Sequence, residues 1–142
     1  MLDGLIGLAL AAVLGAAIGA EREWRRHPGG LRSCALVCEA ACVFARLSVS
    51  HAPGNQGALL GAIATGVGFL GAGVILHQGA QVRGLSTAAT FFAVAAIGTS
   101  AGVGEFGLAV ALSLCVFFAH VALRPLSAWI DRVAPPEDNG PG

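Results

Sequence analysis

From Gly57 to Leu76 the chain runs for 20 residues without a formal charge. An α-helix of that length spans about 30 Å at 1.5 Å per residue, the thickness of a bilayer's hydrocarbon core. Four further apolar runs lie around it: Gly4 to Ala20, Ser33 to Val49, Leu85 to Ala101 and Phe106 to Leu123. Charged residues make up 11% of the 142 residues, against about a quarter in soluble domains. Eight basic and eight acidic residues give 16 formal charges, which fall mainly between the runs and cannot clothe a soluble exterior. The expectation is an all-α polytopic membrane bundle of about five helices, near residues 2–20, 33–50, 57–77, 85–102 and 106–129. A single transmembrane domain would cover residues 1–133, and the Pro- and Gly-rich residues 134–142 read as a disordered tail.

The opening Met-Leu-Asp has no basic segment of the kind that precedes a cleaved signal, so the first run reads as a retained helix. Gly7, Ala11, Gly15 and Gly19 recur every four residues and form a small-residue stripe, suited to a neighbouring helix or to self-association. Gly66, Gly68 and Gly71 spell G-x-G-x-x-G, but no acidic residue follows until Glu105. A dinucleotide site needs such a residue about 20 positions on, together with a strand before the glycines. The glycines read instead as places of close helix approach.

The second run is unusual. Arg32, Ala35, Glu39, Cys42 and Arg46 are spaced 3, 4, 3, 4 and share one helix face, with Cys34 and Cys38 on its flank. A carboxylate at mid-membrane is expected to face the bundle interior or water, either as a functional group or as a paired structural one. Cys34, Cys38, Cys42 and Cys115 read as buried free thiols. A thiol metal site at Cys34, Cys38, Glu39 and Cys42 would need ligands from another helix, since Cys34 and Cys42 lie about 12 Å apart along the axis.

Between the first two runs, Glu21 to Arg32 reads as a loop broken by Pro28, Gly29 and Gly30, with Trp24 at the interface. Ser86, Thr87 and Thr90 open the fourth run, and His120 closes the fifth. With the N-terminus outside, Arg22, Arg25, Arg26, Arg32, Arg83, Arg124 and Arg132 are cytosolic and only Arg46 is external, a seven-to-one positive-inside assignment. Net charge is zero and no nucleic-acid partner is expected. No Ser-His-Asp set or H-E-x-x-H occurs, and Glu21 and Glu23 point apart at i,i+2, so neither an enzyme nor a cofactor is expected.

Five blocks together resemble the MgtC/SapB membrane proteins: GAAIGAEREWR at Gly15 to Arg25, GGLRS at Gly29 to Ser33, GVGFLGAGVI at Gly66 to Ile75, VRGLSTAAT at Val82 to Thr90, and IGTSAGVGEF at Ile97 to Phe106. The resemblance covers roughly residues 4–125. It implies an all-helical bacterial inner-membrane protein linked to magnesium limitation, acid stress and survival inside host cells, a virulence-associated role. It also implies a regulator of other membrane proteins, the ATP synthase among them. Many members carry a soluble C-terminal domain, which this chain is expected to lack.

Carried over by motif, the candidate positions are Glu21, Arg25, Arg32, Gly68, Gly71, Gly73, Arg83, Gly84, Thr87 and Thr90. Glu39, Arg46 and His120 are intramembrane polar candidates. The family often has Asp, Arg and Gln leading into the third helix, where this chain has Asn55, Ala58 and Ala62. Position 39 is usually uncharged in the family. The expected cluster is Arg32, Glu21 and Arg83, acting as a structural clamp or as a receiver for an anionic or protein partner. The principal function expected is regulation of a membrane partner through glycine-rich faces. The alternative is a small cation or proton transporter that uses Glu39 and needs a homo-oligomer to form a pathway.

Overall fold

A computed structural model describes residues 2–51, 54–78 and 81–133. It contains five long helices: α1 (Leu2–Trp24), α2 (Leu31–His51), α3 (Gln56–Val74), α4 (Leu85–Val103) and α5 (Phe106–Val133). All five are long and apolar enough to cross a membrane, which makes the chain an all-α polytopic bundle. The tail expected at residues 134–142 and part of the loop at Pro53 lie outside the described residues.

α4 is the central helix. More than half of its membrane-length window is buried, 56%, against 6% for α3. Its small residues allow this. A Cβ on Gly98 would collide with the Cys38 carbonyl, and one on Gly102 with the Cys42 carbonyl, so α2 and α4 pack nearly backbone to backbone. The α1 stripe is used in the same way. Cβ atoms built on Gly15 and Gly19 would lie 2.7 Å from Cys38 Cβ and 2.6 Å from Leu31 Cα, and one on Gly7 would lie 2.7 Å from the Ala101 carbonyl oxygen. The stripe is therefore consumed within the chain, against α2 and α4. Close approach of this kind replaces the hydrophobic drive that lipid removes.

Several elements differ from the sequence expectation. α1 runs on to Trp24, which places Glu21, Arg22 and Glu23 on the helix and not in the loop. α2 begins at Leu31, where the Glu23 carboxylate accepts the Leu31 N–H at 2.9 Å. That bond satisfies a donor at the helix start. α3 stops at Val74, three residues before its expected end. The chain there forms a two-stranded antiparallel ribbon, β1 (Leu76–Gln78) and β2 (Gln81–Arg83), with Leu76 opposite Arg83. Gly84 joins β2 to α4 at φ 95°, and a Cβ there would strike the Val74 carbonyl. Only glycine meets both demands.

The α3 glycines also depart from expectation. Gly71 packs on Ala88, whose Cβ lies 3.4 Å from where a Gly71 Cβ would sit, but Gly66, Gly68 and Gly73 face open space. Cys34, Cys38 and Cys42 are buried free thiols, as expected, while Cys115, expected to be buried, is exposed on α5. α3 diverges from α2 and leaves a wholly apolar cleft of about 620 Å³ between them, with Ala62 among its lining residues.

Gly98→Ala is expected to destabilise the bundle by about 1–3 kcal/mol, because the methyl group overpacks a backbone contact. Gly66→Ala, in open space, should be neutral or stabilise by up to about 1 kcal/mol through helix propensity. Denaturant titration in detergent micelles compares the two variants, and equal values would contradict this packing.

Candidate functional site

The α1 stripe continues past Gly19. Gly15, Ile18, Gly19 and Arg22 fall on one helix face at spacings of three and four, and all are buried. Arg22 is 1% exposed and is the largest fully buried side chain among the described residues. A guanidinium in that position must find partners, because an unpaired buried charge is strongly destabilising.

The partners come from three places. Arg22 Nε donates to the Gly29 carbonyl at 3.3 Å. One terminal nitrogen donates to the Pro28 carbonyl at 2.7 Å and to Thr87 Oγ1 at 2.8 Å. The other donates to Thr90 Oγ1 at 2.9 Å and to His120 Nε2 at 3.4 Å. Five N–H groups thus meet five acceptors, the full capacity of a guanidinium. Arg22 ties α1 to the 28–29 loop, to α4 and to α5.

The acceptors are themselves held in place. Thr87 Oγ1 donates to the Pro28 carbonyl at 3.3 Å, and Thr90 Oγ1 to the Ser86 carbonyl at 2.8 Å. His120 Nδ1 lies 2.8 Å from the Val116 carbonyl, which can only accept, so Nδ1 carries the proton. Nε2 lies 3.0 Å from Thr90 Oγ1 and 3.4 Å from the Arg22 guanidinium. Gly29 sits at φ 74°, and a Cβ there would lie 2.7 Å from Thr87 Cγ2 and 2.9 Å from Phe91. A side chain at position 29 would push the loop carbonyls off the guanidinium.

Beside this latch is a cavity of about 290 Å³, lined by Glu21, Arg22, Arg25, His27, Ser86, Ala119, His120 and Leu123. It is less than half the size of the α2–α3 cleft but contains the charged chemistry that the cleft lacks. Glu21 forms an i,i+4 ion pair with Arg25 at its edge.

The expected cluster of Arg32, Glu21 and Arg83 is not what forms. Glu21 takes Arg25, one helical turn away, while Arg32 and Arg83 are exposed and make no ion pair with a described residue. Thr87, Thr90 and His120 converge on Arg22, and Gly84 sets the start of α4. Glu39 and Arg46 are half-buried along one edge of α2, and neither side chain bonds to a described residue. Arg46 Nε lies over Gly4, 3.5 Å from where a Cβ would sit. The described residues contain no group of three His, Cys, Asp or Glu placed to hold a metal ion. Sequence reasoning passed over Arg22, His27 and the Pro28 and Gly29 carbonyls. The available signal was the continuation of the Gly15–Gly19 stripe to position 22.

A five-helix bundle whose central buried charge is an arginine latched to loop carbonyls, threonines and a histidine defines a polytopic membrane protein with a polar lock at one end. The model of the MgtC family matches residues 8–129, and the chain belongs to that family. It is 42% identical to the protein MgtC of Salmonella typhimurium strain LT2 over 133 residues, 94% of this chain and 58% of that one. An uncharacterized protein of Synechocystis is 43% identical over 131 residues, 92% of this chain and 56% of that one. The protein MgtC of Brucella abortus is 39% identical over 120 residues, 84% and 50% of the two chains. The chain spans little more than half the length of these relatives. No solved structure matches it.

Replacing Arg22 with Lys is expected to destabilise the protein by about 2–4 kcal/mol, since three ammonium donors cannot serve five acceptors. Thr87→Val should remove about 1–3 kcal/mol by the same reasoning. Unfolding free energies in mixed micelles measure both. A smaller loss for Lys than for Val would show that the fork geometry is unimportant.

Proposed function

We propose that the chain is a membrane-embedded regulator that docks on another membrane protein through the open glycine face of α3. The observation that carries this reading is the contrast between α1 and α3. Every glycine of the α1 stripe has a neighbouring helix within contact distance, whereas Gly57, Gly61, Gly66, Gly68 and Gly73 have no atom within 4 Å of where a Cβ would be. Gly57, Gly61 and Gly68 are offset by 4 and 7 residues and lie along one face of α3. Such a face permits close helix approach in lipid, where small residues and not hydrophobicity drive association.

Family membership supports placing this regulator in the inner membrane under magnesium limitation, acid stress or intracellular growth, with an assembly such as the ATP synthase as partner. The seven-to-one arginine bias supports a cytosolic location for the Arg22 end and an external N-terminus.

Gly61→Leu with Gly68→Leu is expected to leave unfolding free energy within about 0.5 kcal/mol of the parent, because neither position is packed. The same variant should lower, several-fold, the recovery of a distinct membrane protein after crosslinking in native membranes. Undiminished recovery, or recovery of self-contacts alone, would sink the docking reading.

A transporter reading is favoured by one observation, the half-buried Glu39 without a bonded partner among the described residues. It requires that Glu39→Gln abolish proton or cation flux in liposomes, and unchanged flux would leave Glu39 a structural group.

A further inference from the structure

The cavity beside Arg22 has a surplus of positive charge. Its one lining carboxylate, Glu21, is ion-paired with Arg25, with Oε1 making no hydrogen bond among the described residues. The next carboxylate on the helix, Glu23, is engaged with the Leu31 amide. All five Arg22 bonds end on neutral acceptors, so no anion among the described residues is bonded to this buried charge. Dipoles alone compensate a desolvated cation less well than a counter-charge does.

The remaining donors face the same space. Glu21 pairs with Arg25 through Nε, and the two terminal nitrogens of Arg25 have no hydrogen-bond partner among the described residues. His27 Nδ1 donates to the Arg25 carbonyl at 3.0 Å, and its other ring nitrogen has no hydrogen-bond partner among the described residues. Ser86 adds a hydroxyl from the first turn of α4, a helix start with no side-chain cap. That end of a helix carries positive dipole charge. The cavity, at about 290 Å³, far exceeds the roughly 15 Å³ that one water needs. It has room for a tetrahedral anion and accompanying water.

We propose that this cavity binds a phosphate-type anion, contributed by free phosphate or by the headgroup of an anionic lipid. Arg25, His27 and Ser86 contact the anion, and Arg22 supplies fixed charge behind them. A tetrahedral oxyanion suits this set because guanidinium forks, an imidazole and a hydroxyl can each address a different oxygen. The site is independent of the α3 glycine face, and its test does not depend on any protein partner.

The purified full chain is titrated with inorganic phosphate by calorimetry in phospholipid-free detergent. In parallel it is placed in nanodiscs of phosphatidylcholine with or without phosphatidylglycerol, and retained lipid is read by native mass spectrometry. Saturable binding of one of these probes is expected. Arg25→Gln should weaken it by about tenfold, the loss of one charge-assisted contact. Glu21→Gln should strengthen it by releasing Arg25 Nε. Arg22 is left intact because it holds the fold. His27→Gln, at an exposed position, gives the same reading if Arg25→Gln fails to fold. Phosphate binding in detergent identifies the free anion as a ligand, and phosphatidylglycerol retention that phosphate does not displace identifies the headgroup. Absence of both, or binding unchanged in Arg25→Gln and His27→Gln, overturns the proposal.

Discussion

The Arg22 guanidinium is the constraint on which the rest of this bundle depends. In a low-dielectric interior it must be fully hydrogen-bonded, and each bond to a charged group is worth about 1.5–3 kcal/mol. Its five acceptors come from a loop and two helices that are distant in sequence. To supply them, the 28–29 loop must turn its carbonyls inward, α4 must present Thr87 and Thr90 on one face, and α5 must bring up His120. The left-handed Gly29, the Val116 bond to His120 and the threonine bonds to nearby carbonyls all serve that geometry.

The helix contacts follow a second rule, close approach without side chains. α4 lies against α2 at Gly98 and Gly102, and α1 lies against both through Gly7, Gly15 and Gly19. Together these make a tight three-helix centre. α3 packs mainly on α4 and leaves the apolar cleft toward α2. Where the family resemblance leads one to expect a glutamine at the entry to the third helix, Ala62 lines that cleft. Among the described residues the buried charge lies at the Arg22 end, and the half-buried Glu39 and Arg46 follow one edge of α2.

The division of labour among the arginines shows what packing adds to chemistry. Arg22, Arg25, Arg26 and Arg32 fall within eleven residues and are chemically equivalent in the sequence. In the structure one is a buried latch, one is half-paired at a cavity, and two are exposed. Arg22 is on the inner face of α1, Arg25 and Arg26 lie in the turn after that helix ends at Trp24, and Arg32 is in the first turn of α2, so their places in the fold separate these fates. Family motif matching pointed to Glu21 and Arg25, which lie one position from the latch and three positions from it.

The number of membrane-length helices was legible in the sequence, because apolar length and charge clustering are local properties that a bilayer reads directly. The sequence also showed the α1 stripe, whose four-residue period needs no partner to be visible. Thr87 and Thr90 were legible as candidates through the family motif, and His120 because polar groups in membrane spans are conspicuous. Tertiary structure alone decided which glycines are contacts and which are open, since that depends on what stands opposite each Cβ position. It alone decided that Arg22 is the hub, because its acceptors include two backbone carbonyls that no side-chain motif records and a histidine 98 residues away. Such convergence is a property of the packed chain, and no single helix contains it.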